Sequence, residues 1–336
     1  MIATDIATIF AFIIAFAVFV YVVMDGFDLG LGILFPLFPA KADRDVIMNS
    51  VAPVWDGNET WLVLGGGGLM AAFPLAYAVL MPALYTPIVA MLIGLIFRGV
   101  AFEFRWRTTQ GKRNRWDIAF TGGSWLAALA QGIALGAVLQ GIHVEGRQYA
   151  GGWWDWLTPF SLLTGVALVI GYALLGATWL VLKTEGELRD KAYGLSWSLL
   201  FAMLVSIGAV SIATPFLNIQ YAQRWFTWPD IILTAPVPVA VAVVTVLLLR
   251  SLASRRDHQP FFLSLALFAL SYAGLGISMY PYIVPQSITI WQAASPANSQ
   301  IFMLVGVCVL IPFILGYTAW AYWVFRGKVR PGSGYH

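Results

Sequence analysis

The sequence has little charge and few of the side chains that enzymes commonly use for catalysis. Only 10% of its 336 residues are charged, against roughly 25% in an average soluble domain, while 60% are hydrophobic. It has one cysteine, which excludes an internal disulfide and a cysteine metal cluster. No H-E-x-x-H motif occurs, so metalloprotease-type chemistry lacks its residues. The composition is that of a polytopic membrane protein.

Long apolar runs predict transmembrane helices, because barrel strands would alternate in polarity. A helix needs about 20 apolar residues to cross the bilayer. Hydropathy predicts nine spans, at about 6–35, 51–73, 76–104, 117–141, 159–182, 195–217, 231–249, 261–283 and 299–325. Pro236 and Pro238 predict a bend in the seventh. We expect an all-α fold and one integral membrane domain over residues 1–336, with helices 1–4 in about 1–141 and helices 5–9 in about 142–336.

The basic residues predict the orientation of the chain. Of the 19 lysines and arginines, all but Arg98, Arg147 and Arg224 fall in the loops after helices 1, 3, 5 and 7 or in the C-terminal tail. Cytoplasmic loops carry such an excess, so the N-terminus is predicted outside and the C-terminus inside. Because these charges follow topology, nucleic acid is not expected as a partner.

Four acids in the first two helices are the most informative feature. Asp25 and Asp28 lie near the end of the first helix, and Asp56 and Glu59 begin the second. Spacing of three places each pair on one helix face. A charged side chain near the bilayer centre costs about 2.5–3.5 kcal/mol on insertion scales, so embedded acids are candidates for function. Coupled carboxylates on adjacent helices bind and release protons in steps, which predicts a proton relay.

Asn58 and Arg98 are expected beside these acids, at the same end of the second and third helices. The asparagine can hold water between the carboxylates. The structural alternative is that Asp28 or Asp56 simply neutralises Arg98 in a buried pair. Relay and structural pair both remain open.

Other features predict packing or ordinary surface chemistry. Glu103 is expected in a solvated salt bridge with Arg105, and Asp117 in the first turn of its helix. Glycine-rich faces predict close helix contacts. These faces hold Gly26 with Gly30, Gly65–Gly68, and Gly132 with Gly136.

The three histidines lie outside the apolar runs, at positions 143, 258 and 336. A haem held between membrane helices needs axial ligands within those helices. The chain is therefore a poor candidate for haem binding, and any redox centre is expected on a partner.

Three segments carry a resemblance to a known family. They are DGFDLG at 25–30, NSVAPVWDGNETWL at 49–62 and FRGVAFE at 97–103. Together they resemble subunit II of the cytochrome bd-type quinol oxidases. The spacing of the segments, the number of spans and the length agree with that family over the whole chain. The compact loops are similar to its shorter, cyanide-insensitive branch.

The resemblance implies a complex of the bacterial cytoplasmic membrane that oxidises quinol and reduces oxygen to water, with protons taken from the cytoplasm. Subunit I would carry haem b and haem d, and this chain would hold no complete active site. The resemblance also implies two four-helix bundles plus a peripheral helix, a pseudo-twofold pairing with subunit I, and one or more single-span small subunits. A structural quinone or lipid between the helices is left open.

Carried over residue by residue, the resemblance places Asp56 at the entrance of the proton path. Around it would lie Asp25, Asp28, Asn58 and Arg98. Glu59 stands where members of the family can have an amide. Trp55 and Trp61 lie beside the path, at the subunit interface, near an apolar oxygen route or in internal packing, and the sequence alone supports only packing.

Two alternatives use the same residues. An ion-coupled secondary transporter would place the acids at a substrate or ion site, although its usual internal repeat is not visible. An inert anchor for a haem subunit would keep the acids permanently paired.

Overall fold

In the part of the chain that the structure describes, the regular secondary structure is helical apart from two short hairpins. A computed structural model describes residues 2–330, with the side chains of that range except those of 2–4 and 110. Its helices are α1 Ile2–Leu34, α2 Lys41–Val51, α3 Trp55–Ala72, α4 Pro74–Ala83, α5 Tyr85–Arg107, α6 Arg113–Gln140, α7 Pro159–Lys183, α8 Gly186–Leu217, α9 Ile219–Phe226, α10 Ile231–Thr234, α11 Pro236–Ala253, α12 Gln259–Met279, α13 Ile290–Ala293 and α14 Ala297–Val324. The hairpins pair β1 Val144–Glu145 with β2 Gln148–Tyr149, and β3 Tyr282–Val284 with β4 Ile288–Thr289.

The prediction of an all-α polytopic membrane protein is confirmed. Within the described residues, eight helical segments are long and apolar enough to cross a membrane. The predicted second span corresponds to α3, a ninth long helix of 18 residues that does not meet the same test of apolarity. Its first turns hold Asp56, Asn58 and Glu59, and four glycines follow. The polar residues that keep α3 out of this group are thus candidate site residues.

The third predicted span, 76–104, was wrong in its boundaries. The structure divides this run into α4 and α5, with the break at Leu84. Pro87 has no N–H to donate to the carbonyl one turn earlier, and a proline disfavours helical geometry in the residue before it. The spanning helix therefore begins at Tyr85 and ends at Arg107, three residues beyond the predicted end.

Several further boundaries differ from the predictions, most of all at the sixth span, where α8 begins at Gly186, nine residues before the predicted start at 195. Residues before the second span form the short helix α2, and α3 begins only at Trp55, after Pro53. The eighth span ends at Met279 because Pro281 follows, and its last predicted residues belong to β3. The seventh is interrupted at Ala235, just before the two prolines predicted to bend it.

The two halves pack as two groups of helices that meet along α1, α6 and α7. In the first half α1 packs on α3 and α6, and α5 on α6; in the second, α7 packs on α8 and α12, and α11 on α12. At the joint between α1 and α7, a Cβ on Gly30 would lie 1.8 Å from the Tyr172 carbonyl oxygen. Only glycine permits this approach.

The last long helix, α14, is peripheral. Most of its apolar residues are exposed, and Gln300 is its buried residue. It contacts α1, and one of its side chains reaches α3. This arrangement agrees with the two bundles and peripheral helix that the sequence resemblance implied.

The ends of the long helices define two sides of the molecule. We call the side where α1, α5, α7, α11 and α14 end the basic side, because most lysines and arginines lie there. The two hairpins lie on the opposite side. The candidate acids are in the half of the membrane-spanning region nearest the basic side.

Candidate functional site

Arg98 lies at the centre of the buried charges in the first half. It is 0% exposed on α5, and its Nη1 atom lies 2.6 Å from Asp25 Oδ1 on α1. Its Nη2 atom donates a hydrogen bond to Glu59 Oε1 on α3. Three helices are therefore joined by one guanidinium. The structural alternative named the wrong partners, because Arg98 pairs with Asp25 and Glu59 rather than with Asp28 or Asp56.

Asp28 is fully buried and is held by an amide. Asn58 Nδ2 donates to Asp28 Oδ2 at 2.8 Å. The other oxygen, Asp28 Oδ1, and the Arg98 Nε atom have no hydrogen-bond partner among the described residues. A buried polar atom without a hydrogen-bond partner costs free energy, and such atoms are uncommon outside functional sites. We call Asp25, Asp28, Asn58, Glu59 and Arg98 the acid cluster.

Tyr322 of the peripheral helix α14 also reaches the acid cluster. Its hydroxyl donates to Asn58 Oδ1 at 2.9 Å, so Asn58 connects α14 with Asp28 on α1. Nothing in the sequence pointed to this residue, because it lies 264 positions from its partner. A helix whose apolar residues are mostly exposed thus contributes a hydroxyl to the buried acid cluster.

Asp56 does not contact the other acids. It is exposed, whereas the buried face of α3 is formed by Asn58, Trp61 and Gly65. Asp56 lies about 200° around the helix from Asn58, since each residue advances about 100°. Spacing of three placed Asp56 and Glu59 on the same side, but only Glu59 turns inward, with 28% of its side chain still exposed.

The two tryptophans beside the site pack within the chain. Trp61 is fully buried, with its ring edge-on to Phe16 at a centroid distance of 5.9 Å. Trp55 is half-buried and stacks on Phe102 at 5.1 Å. Phe102 packs in turn on Phe120 at 5.1 Å, which forms an aromatic layer on the basic side of the acid cluster.

A buried hydrogen-bonded chain extends from the acid cluster into the joint between the two halves. The Tyr21 hydroxyl lies beside Asp25, one turn earlier on α1. It accepts a hydrogen bond from Gln131 Nε2 at 2.7 Å, and the Tyr172 hydroxyl donates to Gln131 Oε1 at 2.8 Å. Sequence reasoning missed these residues, because single polar side chains in separate apolar helices show no local pattern.

A second ion-pair network lies beyond the aromatic layer. Arg105 Nε donates to Asp117 Oδ1 at 2.6 Å, and Arg105 Nη1 to Asp45 Oδ1 at 2.6 Å. Arg44 Nη1 also bonds Asp117, at 2.9 Å. The prediction for Asp117 was therefore wrong, because Asp117 lies beyond the first turn of α6 and is buried. The predicted solvated salt bridge of Glu103 is present, but its partner is not Arg105. The exposed Glu103 instead lies 3.5 Å from Arg107.

One charged cluster of the second half lies at the basic side. Asp257, in the loop between α11 and α12, accepts hydrogen bonds from Lys328 Nζ and the Tyr193 hydroxyl, each at 2.9 Å. Arg189 Nη1 approaches it at 3.3 Å, and Lys183 Nζ donates to the Phe325 carbonyl oxygen at 2.5 Å. We call Lys183, Arg189, Tyr193, Asp257 and Lys328 the C-terminal clasp. It fastens the chain after α14 to α7, α8 and the loop.

The pKa of Asp257 shows that the clasp favours an ionised carboxylate. Partial burial raises this pKa, but the hydrogen bonds from Lys328 and Tyr193 and the nearby positive charges outweigh burial. The net effect lowers the pKa below the ordinary aspartate value.

The described histidines are exposed and lie outside the spanning helices. His143 is close to β1, with Nε2 3.8 Å from Glu145, and His258 immediately precedes α12. His336 lies outside the described residues. Neither described side chain is placed where it could ligate a haem between membrane helices.

Comparison with known proteins assigns the family. Residues 6–325 match the family model described as cytochrome bd terminal oxidase subunit II. The chain belongs to this family. It is thus a component of a cytochrome bd quinol oxidase, an oxidoreductase complex of the respiratory membrane, and the family implies subunit I as its partner and haems in the complex. The oxidase hypothesis is favoured over the transporter hypothesis.

Relatives and a solved structure agree with the assignment. The chain is 32% identical to cytochrome bd-I ubiquinol oxidase subunit 2 of Escherichia coli strain K12, over 92% of this chain and 91% of the relative. It is 27% identical to cytochrome bd ubiquinol oxidase subunit 2 of Bacillus subtilis strain 168, over 95% of each. The fold is similar to a chain of the bd oxidase from Geobacillus thermodenitrificans, with a TM-score of 0.74 and 17% identity, over 96% of this chain and 98% of that chain.

Proposed function

We propose that this subunit delivers protons from the cytoplasm to the oxygen-reducing centre of its partner. The observation that carries the proposal is the acid cluster, in which buried carboxylates from α1 lie beside Arg98 and the half-buried Glu59. Each embedded charge has a free-energy cost, and in membrane proteins such residues commonly form proton relays.

The exposure of the acids supports a direction for the path. Asp56 is exposed at the start of α3, Glu59 is partly exposed one turn further in, and Asp25 and Asp28 are buried. A proton could bind at Asp56, pass to Glu59 and reach Asp25 or Asp28. Asp28 Oδ1 has no hydrogen-bond partner among the described residues and is available to accept it. Trp55 and Trp61 would act by packing beside this path.

The distribution of charge supports an orientation of the protein in the membrane. The acid cluster lies near the basic side, and the positive-inside rule places that side in the cytoplasm. The subunit would then lie in a bacterial cytoplasmic membrane, with its N-terminus in the periplasm and its C-terminus in the cytoplasm. Protons entering at Asp56 would be cytoplasmic.

The remaining parts of the complex are assigned to partners. The described histidines do not fit a haem between helices, so we propose that subunit I ligates haem b and haem d and reduces oxygen with electrons from quinol. Residues 142–336 would serve as scaffold and partner contact. One or more single-span small subunits, or a structural quinone or lipid, would cover part of the exposed apolar surface.

The test is to remove the protonatable group at two points of the path. Glu59→Gln and Asp56→Asn are introduced into the complete complex, and quinol-driven oxygen uptake is measured per haem over a range of pH. We expect Glu59→Gln to lower turnover about tenfold or more, and Asp56→Asn to lower it substantially, because proton transfer by a positioned group contributes about 10²–10⁴-fold.

The matched control is Glu103→Gln, a carboxylate near the same end of α5 that is exposed and pairs with Arg107. It should keep normal turnover. If Glu59→Gln and Asp56→Asn also keep normal turnover at unchanged haem content, the acids are structural and the inert-anchor alternative is correct.

A further inference from the structure

A basic groove lies at the membrane boundary of the second half, away from the acid cluster. It is an open groove of about 600 Å³ between the end of α11 and the start of α12. Arg250, Ser251, Arg256 and His258 line its polar end. Its size is within the range of ligand-binding pockets.

The charged side chains of the loop between α11 and α12 face two different directions. Arg255 turns toward α8, where Nη1 bonds Asp190 Oδ1 at 2.8 Å, and Asp257 belongs to the C-terminal clasp. Arg256 and Arg250 face the groove instead. The only acid of the loop is thus occupied elsewhere and does not neutralise the groove.

The arginines of the groove have no acidic partner within residues 2–330. No ion pair joins Arg250 or Arg256 to a carboxylate there, whereas Arg189 and Arg255 in the same region are both paired. The positive-inside rule accounts for the presence of arginines in this loop, but not for their position in a groove. Two guanidinium groups that line one concave site, without a paired carboxylate, are in addition complementary to an anion.

Buried polar chemistry gives an independent indication of a ligand. Ser251 is 2% exposed and lines the groove, yet its Oγ atom has no hydrogen-bond partner in the described part of the chain. A buried hydroxyl is normally hydrogen-bonded. The backbone of α12 also begins here without a side-chain cap, so the positive end of its helix dipole faces the same region.

The other end of the groove is apolar and lies deeper in the membrane. Leu247 is one turn before Arg250, and Phe262 is one turn after His258; both are exposed. A free anion would contact only the polar end. An amphiphile with a phosphate group at the boundary and acyl chains in the bilayer would contact both ends.

We propose that this groove binds the headgroup of an anionic phospholipid. Arg250 and Arg256 would bind the phosphate, Ser251 would donate a hydrogen bond, and Leu247 with Phe262 would contact the first part of the acyl chains. Basic pockets between helices on the cytoplasmic side are suited to such lipids. The site is independent of the proton path.

The experiment uses the complete complex in mixed micelles, with bound lipid counted by native mass spectrometry. The probes are phosphatidylglycerol and phosphatidylcholine with the same acyl chains. The wild-type complex should prefer phosphatidylglycerol. Arg250→Gln with Arg256→Gln should weaken phosphatidylglycerol binding about 25-fold, since each basic residue near an anionic lipid contributes roughly fivefold, and should leave phosphatidylcholine unaffected.

Controls separate this site from general charge and from free phosphate. Lys112→Gln with Arg115→Gln removes two exposed charges from the same side of the molecule and should have no effect. Ser251→Ala should weaken binding about threefold. Equal phosphatidylglycerol binding by wild type and the double arginine variant would overturn the proposal. Displacement of the lipid by inorganic phosphate would also overturn it, and so would the absence of any lipid preference in the wild type.

Discussion

The acid cluster of the first half and the C-terminal clasp of the second half use charged side chains in opposite ways. In the first half, Arg98 and Asp25 are buried deep within spanning helices and join α1 to α5. In the second half, Asp257 and Lys328 meet outside the spanning segments, where they fasten the end of the chain to a loop. Buried charge costs far more than charge at the boundary. Buried charge is therefore expected where a reaction requires it, and charge at the boundary where it fastens the end of a helix.

The strongest test of this difference is to remove the central charge of the first half. Arg98→Met leaves Asp25 and Glu59 without their partner, and breaking a buried ion pair costs about 3–5 kcal/mol. We expect little haem-containing complex and a much lower unfolding temperature. Arg107→Met, at an exposed ion pair on the same helix, should be near neutral.

A triple variant shows whether the loss comes from charge or from packing. Adding Asp25→Asn and Glu59→Gln to Arg98→Met removes the unpaired acids as well. The yield of complex should then partly recover. If Arg98→Met alone were as stable as Arg107→Met, the acid cluster would not be held by its buried ion pairs.

The contact between the halves can be broken without altering any charge. Gly30→Ala places a methyl group against the Tyr172 carbonyl oxygen, which α1 and α7 can accommodate only by moving apart. We expect a loss of about 1–3 kcal/mol or more, measured as thermal stability and yield of the complex. Gly66→Ala is the matched control, because nothing lies within 4 Å of the added carbon. Equal stability of both variants would contradict the close approach of the helices.

The glycines also show how far the sequence could predict the structure. Gly26, Gly30, Gly132 and Gly136 do lie at helix contacts, because small-residue spacing on an apolar helix reports a close neighbour. The run Gly65–Gly68 was only half correct, since its first and last residues face α1 and the middle two face open space. The rotation of α3 about its own axis decides which glycines face α1, and that rotation depends on the helices packed against α3.

The same limit applies to the candidate site. Hydropathy and charge placed Asp25, Asp28, Glu59 and Arg98 at one end of three helices, and the structure brings them together. The sequence could not predict that Asp56 turns outward or that Tyr322 reaches Asn58. Such contacts depend on how distant helices pack, and no local spacing records them.

Tyr322 offers a way to test whether the peripheral helix matters to the acid cluster. Tyr322→Phe removes the hydrogen bond to Asn58 and keeps the ring, for a loss of about 0.5–1.5 kcal/mol. We expect turnover to fall about threefold and its pH profile to shift, because Asn58 also holds Asp28. Tyr317→Phe, exposed on the same helix, is the control. An unchanged pH profile in Tyr322→Phe would limit that residue to packing.

The smallest expected effect lies in the C-terminal clasp. Asp257→Asn should lower the free energy of unfolding by about 1 kcal/mol at neutral pH, since its carboxylate is partly exposed and screened. The folded-state pKa of Asp257 lies below its ordinary value of about 3.9. The stabilisation is therefore fully present above that ordinary value and is lost as the pH falls through the lowered pKa. Thermal unfolding of both proteins should thus converge in acid, and Asp190→Asn should have a smaller effect. If the stability difference between the wild type and Asp257→Asn instead grew on acidification, Asp257 would not be held as a carboxylate. The C-terminal clasp would then not be stabilised by an ionised carboxylate at the boundary, and its contrast with the acid cluster would rest on position alone.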